Sequence, residues 1–283
     1  PTQPYACVIV LALFCLYKTM TRHPYQRLRA QQFELPEVGI SEEDNIRSLH
    51  LGSPTIQSSM NLDDPSELVL SYSQAMMGWL LFQDPPAHIT QIGLGGGSFA
   101  RWLAEFCPVT LQTVVEIHPQ VIAIAQAMFE IPAESDTFEL VEADGADFIK
   151  TMRGGTDVIM VDGFDGEQII DALVDVPFFQ DCHTALTEQG IFVTNWWQGD
   201  KRFDHFVEKL RIVFDDRVLL LPALTHGNIA VFAFKDTPEM NLDKLKKRAD
   251  KLQETYHLDF AHMVHSIKSR HQHNGKVLQF TPA

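Results

Sequence analysis

The chain has 283 residues, 45% hydrophobic and 21% charged, the profile of a globular protein with room for one large domain and an extension. Its formal net charge of −15 argues against a nucleic-acid partner, because binding phosphates needs a basic face. Four cysteines (Cys7, Cys15, Cys107, Cys182) show no CxxC spacing, which argues against a disulfide framework or a zinc site and fits a reducing, cytoplasmic compartment.

Residues 1–47 read as an apolar segment and a linker. Residues 5–17, YACVIVLALFCLY, are continuously apolar, and Lys18, Arg22, Arg27 and Arg29 follow. The run falls short of the roughly 20 residues that cross a bilayer. A signal peptide carries its positive charge before the apolar run rather than after it. The segment therefore reads as a shortened anchor, a buried or interfacial helix, or sequence upstream of a true start, and a membrane partner is not expected. A first residue Pro1 implies processing or truncation. Residues 30–47 are polar and acidic and read as a connector.

Residues 48–64 predict a small β-hairpin, since SLHLGSPTIQSSMNL alternates around Gly52 and Pro54. Residues 65–82 predict a helix after Asp63-Asp64-Pro65. From 88 to about 235, strands and helices alternate, which implies a parallel sheet. Later strands are expected at 190–195, 217–222 and 228–234. The last two are separated only by a short stretch containing Gly227, so they are expected to be antiparallel neighbours. Residues 239–270 are charged with helical period, and the extension 239–283 is expected to end in a loose tail. There is no internal repeat.

Four segments inside 65–238 carry the chemistry: HITQIGLGGGSFARWL (88–103), LQTVVEIHP (111–119), FELVEADGADFI (138–149) and DVIMVDGFDG (157–166). Each is an apolar run ending in glycine or an acid, the way a doubly wound α/β domain presents a nucleoside-containing ligand at its strand ends. Gly93, Gly95, Gly96 and Gly97 permit positive φ and close approach to a ligand. The dinucleotide fingerprint fails at Ser98, and no Gly-Lys-Ser/Thr follows, so pyrophosphate is disfavoured. Glu116 ends the second strand, where a carboxylate accepts from ribose hydroxyls; capping of the next helix is the structural alternative. Asp144 can accept from an adenine amino group, with Ala146 leaving room for the ring; an N-cap role is equally open. The ligand type these signals suggest together is S-adenosylmethionine.

Asp162 and Asp165 follow a Val-, Ile- and Met-rich strand, between glycines. Paired acids beside a sulfonium can hold a cationic amine and accept its proton; an Asx-turn is the alternative. Tyr72 can orient a nucleophile or belong to the core. Trp196, Trp197 and Gln198 can wall a pocket or pack. The twelve histidines show no HxxxH-type spacing, so no metal is assigned.

These pieces resemble the spermidine synthase family of polyamine aminopropyltransferases over roughly residues 48–235. The matching motifs are Thr-Ile-Gln57, Ser71-Tyr72, Gly95-Gly96-Gly97, Val-Val-Glu116, Glu-Ala-Asp144-Gly-Ala, Asp-Val-Ile-Met-Val-Asp162-Gly-Phe-Asp165 and His226-Gly227-Asn228. The resemblance implies a Rossmann-like sheet of the S-adenosylmethionine-methyltransferase type with a small N-terminal β-region. It implies aminopropyl transfer from decarboxylated S-adenosylmethionine, a co-substrate with no permanently bound cofactor, to a diamine such as putrescine. Gln57, Glu116 and Asp144 would contact the donor. Asp162 would be the general base with Tyr72 assisting, Asp165 would hold the amine, and the chain would form a homodimer. The chain departs from the family where Ser98-Phe99 replaces an Asp-Gly, where Asp162-Gly-Phe-Asp165-Gly replaces Asp-Ser/Thr-Asp-Pro, and where Pro222-Ala-Leu-Thr lacks the family's tyrosine. Two alternatives share the nucleoside pocket: an S-adenosylmethionine-dependent methyltransferase, for which Arg101 would have to meet the donor carboxylate from a position open to solvent, and a non-catalytic nucleoside-binding homologue.

Overall fold

A computed structural model describes residues 35–163, 170–225 and 227–282. The expectations for the N-terminal apolar run, Asp165 and His226 fall outside them.

The first described element is a three-stranded antiparallel sheet, β1 (Val38–Glu43), β2 (Ile46–Leu51) and β3 (Ile56–Asn61), in that order. Sequence predicts a connector over 30–47 and one hairpin after it; the structure has an additional strand. Its turn is Asp44-Asn45, both at positive φ (49° and 65°), the two-residue geometry that matches strand twist. The acidic outer end of β1 masks its alternation, because Ser41, Glu42 and Glu43 are all exposed.

Residues 65–82 hold a shorter helix than periodicity suggests. Helix α1 covers Ser71–Met76, and a 3-10 turn continues it through Met77–Leu81. The seven-stranded sheet then builds from β4 (His88–Ile92), β5 (Leu111–Glu116), β6 (Phe138–Glu142), β7 (Thr156–Val161), β8 (Leu186–Trp197), β9 (Val218–Pro222) and β10 (Asn228–Phe234). The order is β6-β5-β4-β7-β8-β10-β9. Strands β4 to β8 run parallel, and β10 is antiparallel to both β8 and β9, as expected for the close pair. Helices α2 (Ser98–Phe106), α3 (Pro119–Met128), α4 (Gly145–Ile149), α5 (Val176–Ala185) and α6 (Phe203–Val213) make the crossovers. After β4 the chain builds outward to β5 and β6, then returns to lay β7 on the other side. The β4–β7 boundary is therefore the topological switch point, where open α/β sheets bind ligands.

Both faces of the sheet are covered, which is why strands such as β7, β9 and β10 are near-continuously apolar rather than alternating. Along β7, Val158 and Met160 join one cluster with Trp79, Trp102 and Phe232, while Ile159 and Val161 join the other with Phe179, Phe192 and Leu210. The charged C-terminal stretch forms α7 (Leu242–Tyr256) and α8 (Phe260–Arg270), which close the first face through Leu245, Leu252, Tyr256 and Phe260. The expected loose tail is instead a short hairpin, β11 (His271–His273) and β12 (Leu278–Pro282). Buried His271 anchors it, accepting at Nε2 from the Leu220 N–H (3.2 Å) and donating from Nδ1 to the Ile267 carbonyl (2.9 Å). Burial pushes that imidazole down to about 4, so it stays neutral. Leu278, 2% exposed, fills the core beneath. Among the described residues no helix is long and apolar enough to cross a membrane.

Candidate active site

The loop after β4 is shaped by backbone demands. Gly93, Gly95 and Gly97 take φ of 94°, 53° and 72°. At Gly93 a Cβ would also collide with the Asp162 carbonyl oxygen, so this glycine brings the ends of β4 and β7 together. A Cβ on Gly96 would meet the Phe129 ring (2.8 Å) and Ser58 Oγ (2.9 Å). Ser98, where the loop departs from the family pattern, opens α2. Its hydroxyl lies 3.1 Å from Ser58 Oγ and donates to the Ser59 carbonyl at 3.2 Å, pinning β3 to the loop.

Glu116, at the end of β5, is 8% exposed. It accepts from the Leu94 N–H at Oε2 and from the His118 N–H at Oε1, both at 2.8 Å. Burial pushes its carboxyl pKa up, and these backbone donors, with that of Gly95, oppose the shift. The carboxylate thus bridges the glycine loop and the start of α3, with acceptor capacity left for a ligand hydroxyl. His118, not Glu116, caps α3, accepting from Gln120 N–H.

Asp144 is the N-cap of α4, accepting at Oδ1 from the Ala146 N–H (2.8 Å) and the Asp147 N–H (3.3 Å). The structural alternative is therefore realised, although Oδ2 still lies at the sheet edge after β6. Ala146 is half-buried there beside Ile92-packed Gly145.

Asp162 follows β7 across the switch point, its N–H donating to the Ile92 carbonyl (3.0 Å). Burial pushes its carboxyl up to about 6, while hydrogen bonds from Asn195 and Tyr72 pull the other way. Asn195 Nδ2 donates to Asp162 Oδ1 at 3.2 Å. Tyr72, on α1, has one hydroxyl proton for two acceptors, the Gln57 carbonyl (2.9 Å) and the Asp162 carboxylate, and burial followed by the Asp162 charge drives its own pKa well up. Tyr72 stays protonated and joins β3, α1 and β7 at one point. Gln57 is half-buried beside it.

Of the expected site residues, the structure brings together Gly93, Gly95, Gly96, Gly97, Glu116, Asp162, Tyr72 and Gln57, with Asp144 and Ala146 at the neighbouring strand end. Arg101 corrects an expectation: it is 5% exposed, not solvent-facing. Its Nη1 donates to the Gly96 and Phe129 carbonyls and its Nε to that of Pro65. Burial lowers its pKa to about 10. It clamps the glycine loop from behind. The tryptophans divide: Trp196 is core at 1% exposure and Trp197 is 52% exposed. One site residue, Asn195, escapes the sequence reading, and Asn228 enters it only within a motif, with no role. Asn195 on β8 and Asn228 on β10 bond each other, Asn228 Nδ2 donating to Asn195 Oδ1 at 3.1 Å. The only sequence signal was a polar residue in each of two apolar strands, whose pairing the sequence does not give. Among the described residues no group of three or more His, Cys, Asp or Glu is placed to hold a metal.

Comparison with known proteins matches this geometry. Residues 69–244 fit the spermine/spermidine synthase domain model. A polyamine aminopropyltransferase of Neisseria meningitidis is 66% identical over 259 residues, covering 91% of this chain and 98% of that protein. One of Chromobacterium violaceum is 58% identical, covering 88% and 97%. A spermidine synthase crystallised with the transition-state analogue AdoDATO shares the fold at 20% identity and a TM-score of 0.61, covering 89% and 96% of the two chains. With its switch-point loop, acidic strand ends and the family model spanning most of its sheet, the chain belongs to the spermine/spermidine synthase family.

Proposed function

We propose that this chain is a polyamine aminopropyltransferase, a transferase moving the aminopropyl group of decarboxylated S-adenosylmethionine to a diamine such as putrescine. The observation that carries this reading is the shielded Asp162 carboxyl at the switch point, held by Tyr72 and Asn195 next to the glycine loop. The near full-length identity to aminopropyltransferases supports it.

In this reading Gly93, Gly95, Gly96 and Gly97 admit the nucleoside, Glu116 accepts from its ribose hydroxyls, and Asp144 Oδ2, Ala146 and Gln57 border the rest of the donor. The acceptor nitrogen attacks the carbon next to the sulfonium in line. The new C–N bond forms, the C–S bond breaks, and sulfur keeps the pair and leaves as methylthioadenosine. The attacking nitrogen loses a proton to Asp162, whose pKa near 6 leaves it ionised and basic at neutral pH. Tyr72 fixes the carboxylate's direction, and positioning supplies most of the rate. Asp165 is proposed, from the resemblance, to hold the amine. Arg101 spends Nε and Nη1 on three carbonyls behind the glycine loop, and the near full-length identity to aminopropyltransferases favours the decarboxylated donor over S-adenosylmethionine. A cytoplasmic homodimer, with 65–238 as the catalytic domain and 239–283 as its helical extension, belongs to the same proposal.

The test is product analysis by mass spectrometry with each donor and putrescine. Methylthioadenosine and a triamine formed in equal amounts from the decarboxylated donor support the reading. Methylated product from S-adenosylmethionine, or no turnover with either donor, overturns it.

A further inference from the structure

Asn195 and Asn228 form a directed chain that ends on Asp162. Asn228 opens β10 after Gly227, which takes a φ of 71°. It pairs in register with Trp197 of β8, while Asn195 pairs with Ala230, so the two asparagines meet diagonally across one ladder. A carboxamide has one end that donates and one that accepts. Asn228 donates to the Oδ1 of Asn195 (3.1 Å), which leaves the Nδ2 of Asn195 facing Asp162 Oδ1 (3.2 Å). Turned over, Asn195 would offer Asp162 an oxygen, which bonds only a protonated carboxyl. Asn195 is 4% exposed, so water has little access to correct a wrong orientation.

We infer that Asn228 is a positioning residue for the reaction: by holding the Asn195 amide in its donating orientation it keeps Asp162 ionised and able to take the acceptor's proton. Among the described residues the groups facing Asp162 are Tyr72 from α1 and Asn195 from β8, and the loop after β4 presents backbone at Gly93. No Lys, Arg or His forms an ion pair with Asp162 among the described residues. Since no described cation pairs with the carboxylate, the orientation of one neutral amide carries unusual weight.

The inference rests on Asp162 as proton acceptor, and the two are separable. Asp162→Asn tests the acceptor role: lost turnover with donor affinity retained upholds it, and turnover near wild type overturns both. Asn228→Asp tests the relay, because an acceptor at 228 draws the Nδ2 of Asn195 toward itself and turns its oxygen to Asp162. Asn228→Leu, of similar size, removes the donor without adding charge. The readout is kcat against pH at saturating substrates. The acid limb should move up by about one pH unit in Asn228→Asp, so that kcat at pH 5 falls about tenfold while kcat at pH 8 stays within about twofold. Asn228→Leu should move it the same way by less, and this variant carries the test if the aspartate does not fold. An unmoved acid limb in the folded variants, or an equal loss of kcat at every pH, overturns the inference.

Discussion

On the β5 side of the sheet edge, Glu116 takes its hydrogen bonds from the backbone N–H groups of Leu94 and His118. On the β7 side, Asp162 takes its bonds from the side chains of Asn195 and Tyr72, which arrive on different elements. Both carboxyls are shielded and burial pushes both upward. The first is tied to the fold itself: whatever folds β5, the glycine loop and α3 also delivers donors to Glu116. The second depends on side chains that can be tuned separately. A group that only needs to accept from a ribose is well served by fixed backbone donors. A group that must exchange a proton is better served by a pKa near working pH, set by a few replaceable partners.

The two acids should therefore respond differently to change. The largest structural effect is expected where they are joined. Gly93→Ala puts a methyl against the Asp162 carbonyl at a φ that disfavours side chains, and should destabilise by about 3 kcal/mol in urea unfolding. Loss of less than about 1 kcal/mol would mean that the β4 and β7 ends are less tightly coupled than described.

The next pair of predictions has opposite signs. Glu116→Gln turns an amide NH2 toward one of two backbone N–H groups, and should destabilise the protein by about 2 to 3 kcal/mol at pH 8. Asp162→Asn should stabilise it. A carboxyl whose pKa rises on folding favours the folded state at low pH, and that advantage is lost as pH rises from about 4 through about 6. Removing the charge should gain on the order of 2 kcal/mol at pH 8 and nothing at pH 4. Thermal melts at both pH values read this directly. Equal signs for the two variants at pH 8 would break the comparison.

The same contrast explains what the sequence made legible. The glycine loop, Glu116, Asp144 and Asp162 are local signals, each a strand end followed by glycine or an acid, and the parallel order of their strands follows from strand–helix alternation. The double role of Asp144 illustrates the limit, since an N-cap and a ligand contact ask for the same residue at the same place. Asn195 and Asn228 meet only because β8 and β10 pair, and no spacing along the chain announces a diagonal contact. Arg101 looked solvent-facing because an arginine on an amphipathic helix usually is. Three carbonyls from separate segments bury it instead. Strand β1 hid behind its acidic end, and the C-terminal hairpin is anchored by the burial of His271 and Leu278 rather than by any strong strand pattern.

The central claim is that Asp162, held by side chains, accepts the proton during transfer. Its most direct test is kcat against pH for the wild-type enzyme at saturating decarboxylated S-adenosylmethionine and putrescine, with Asp162→Asn alongside. The account predicts an acid limb near pH 6 in the wild type and a loss of kcat on the order of 10³-fold in the variant, with donor affinity retained. A wild-type profile with no acid limb between pH 5 and pH 7, or a variant turning over at the wild-type rate, would contradict it.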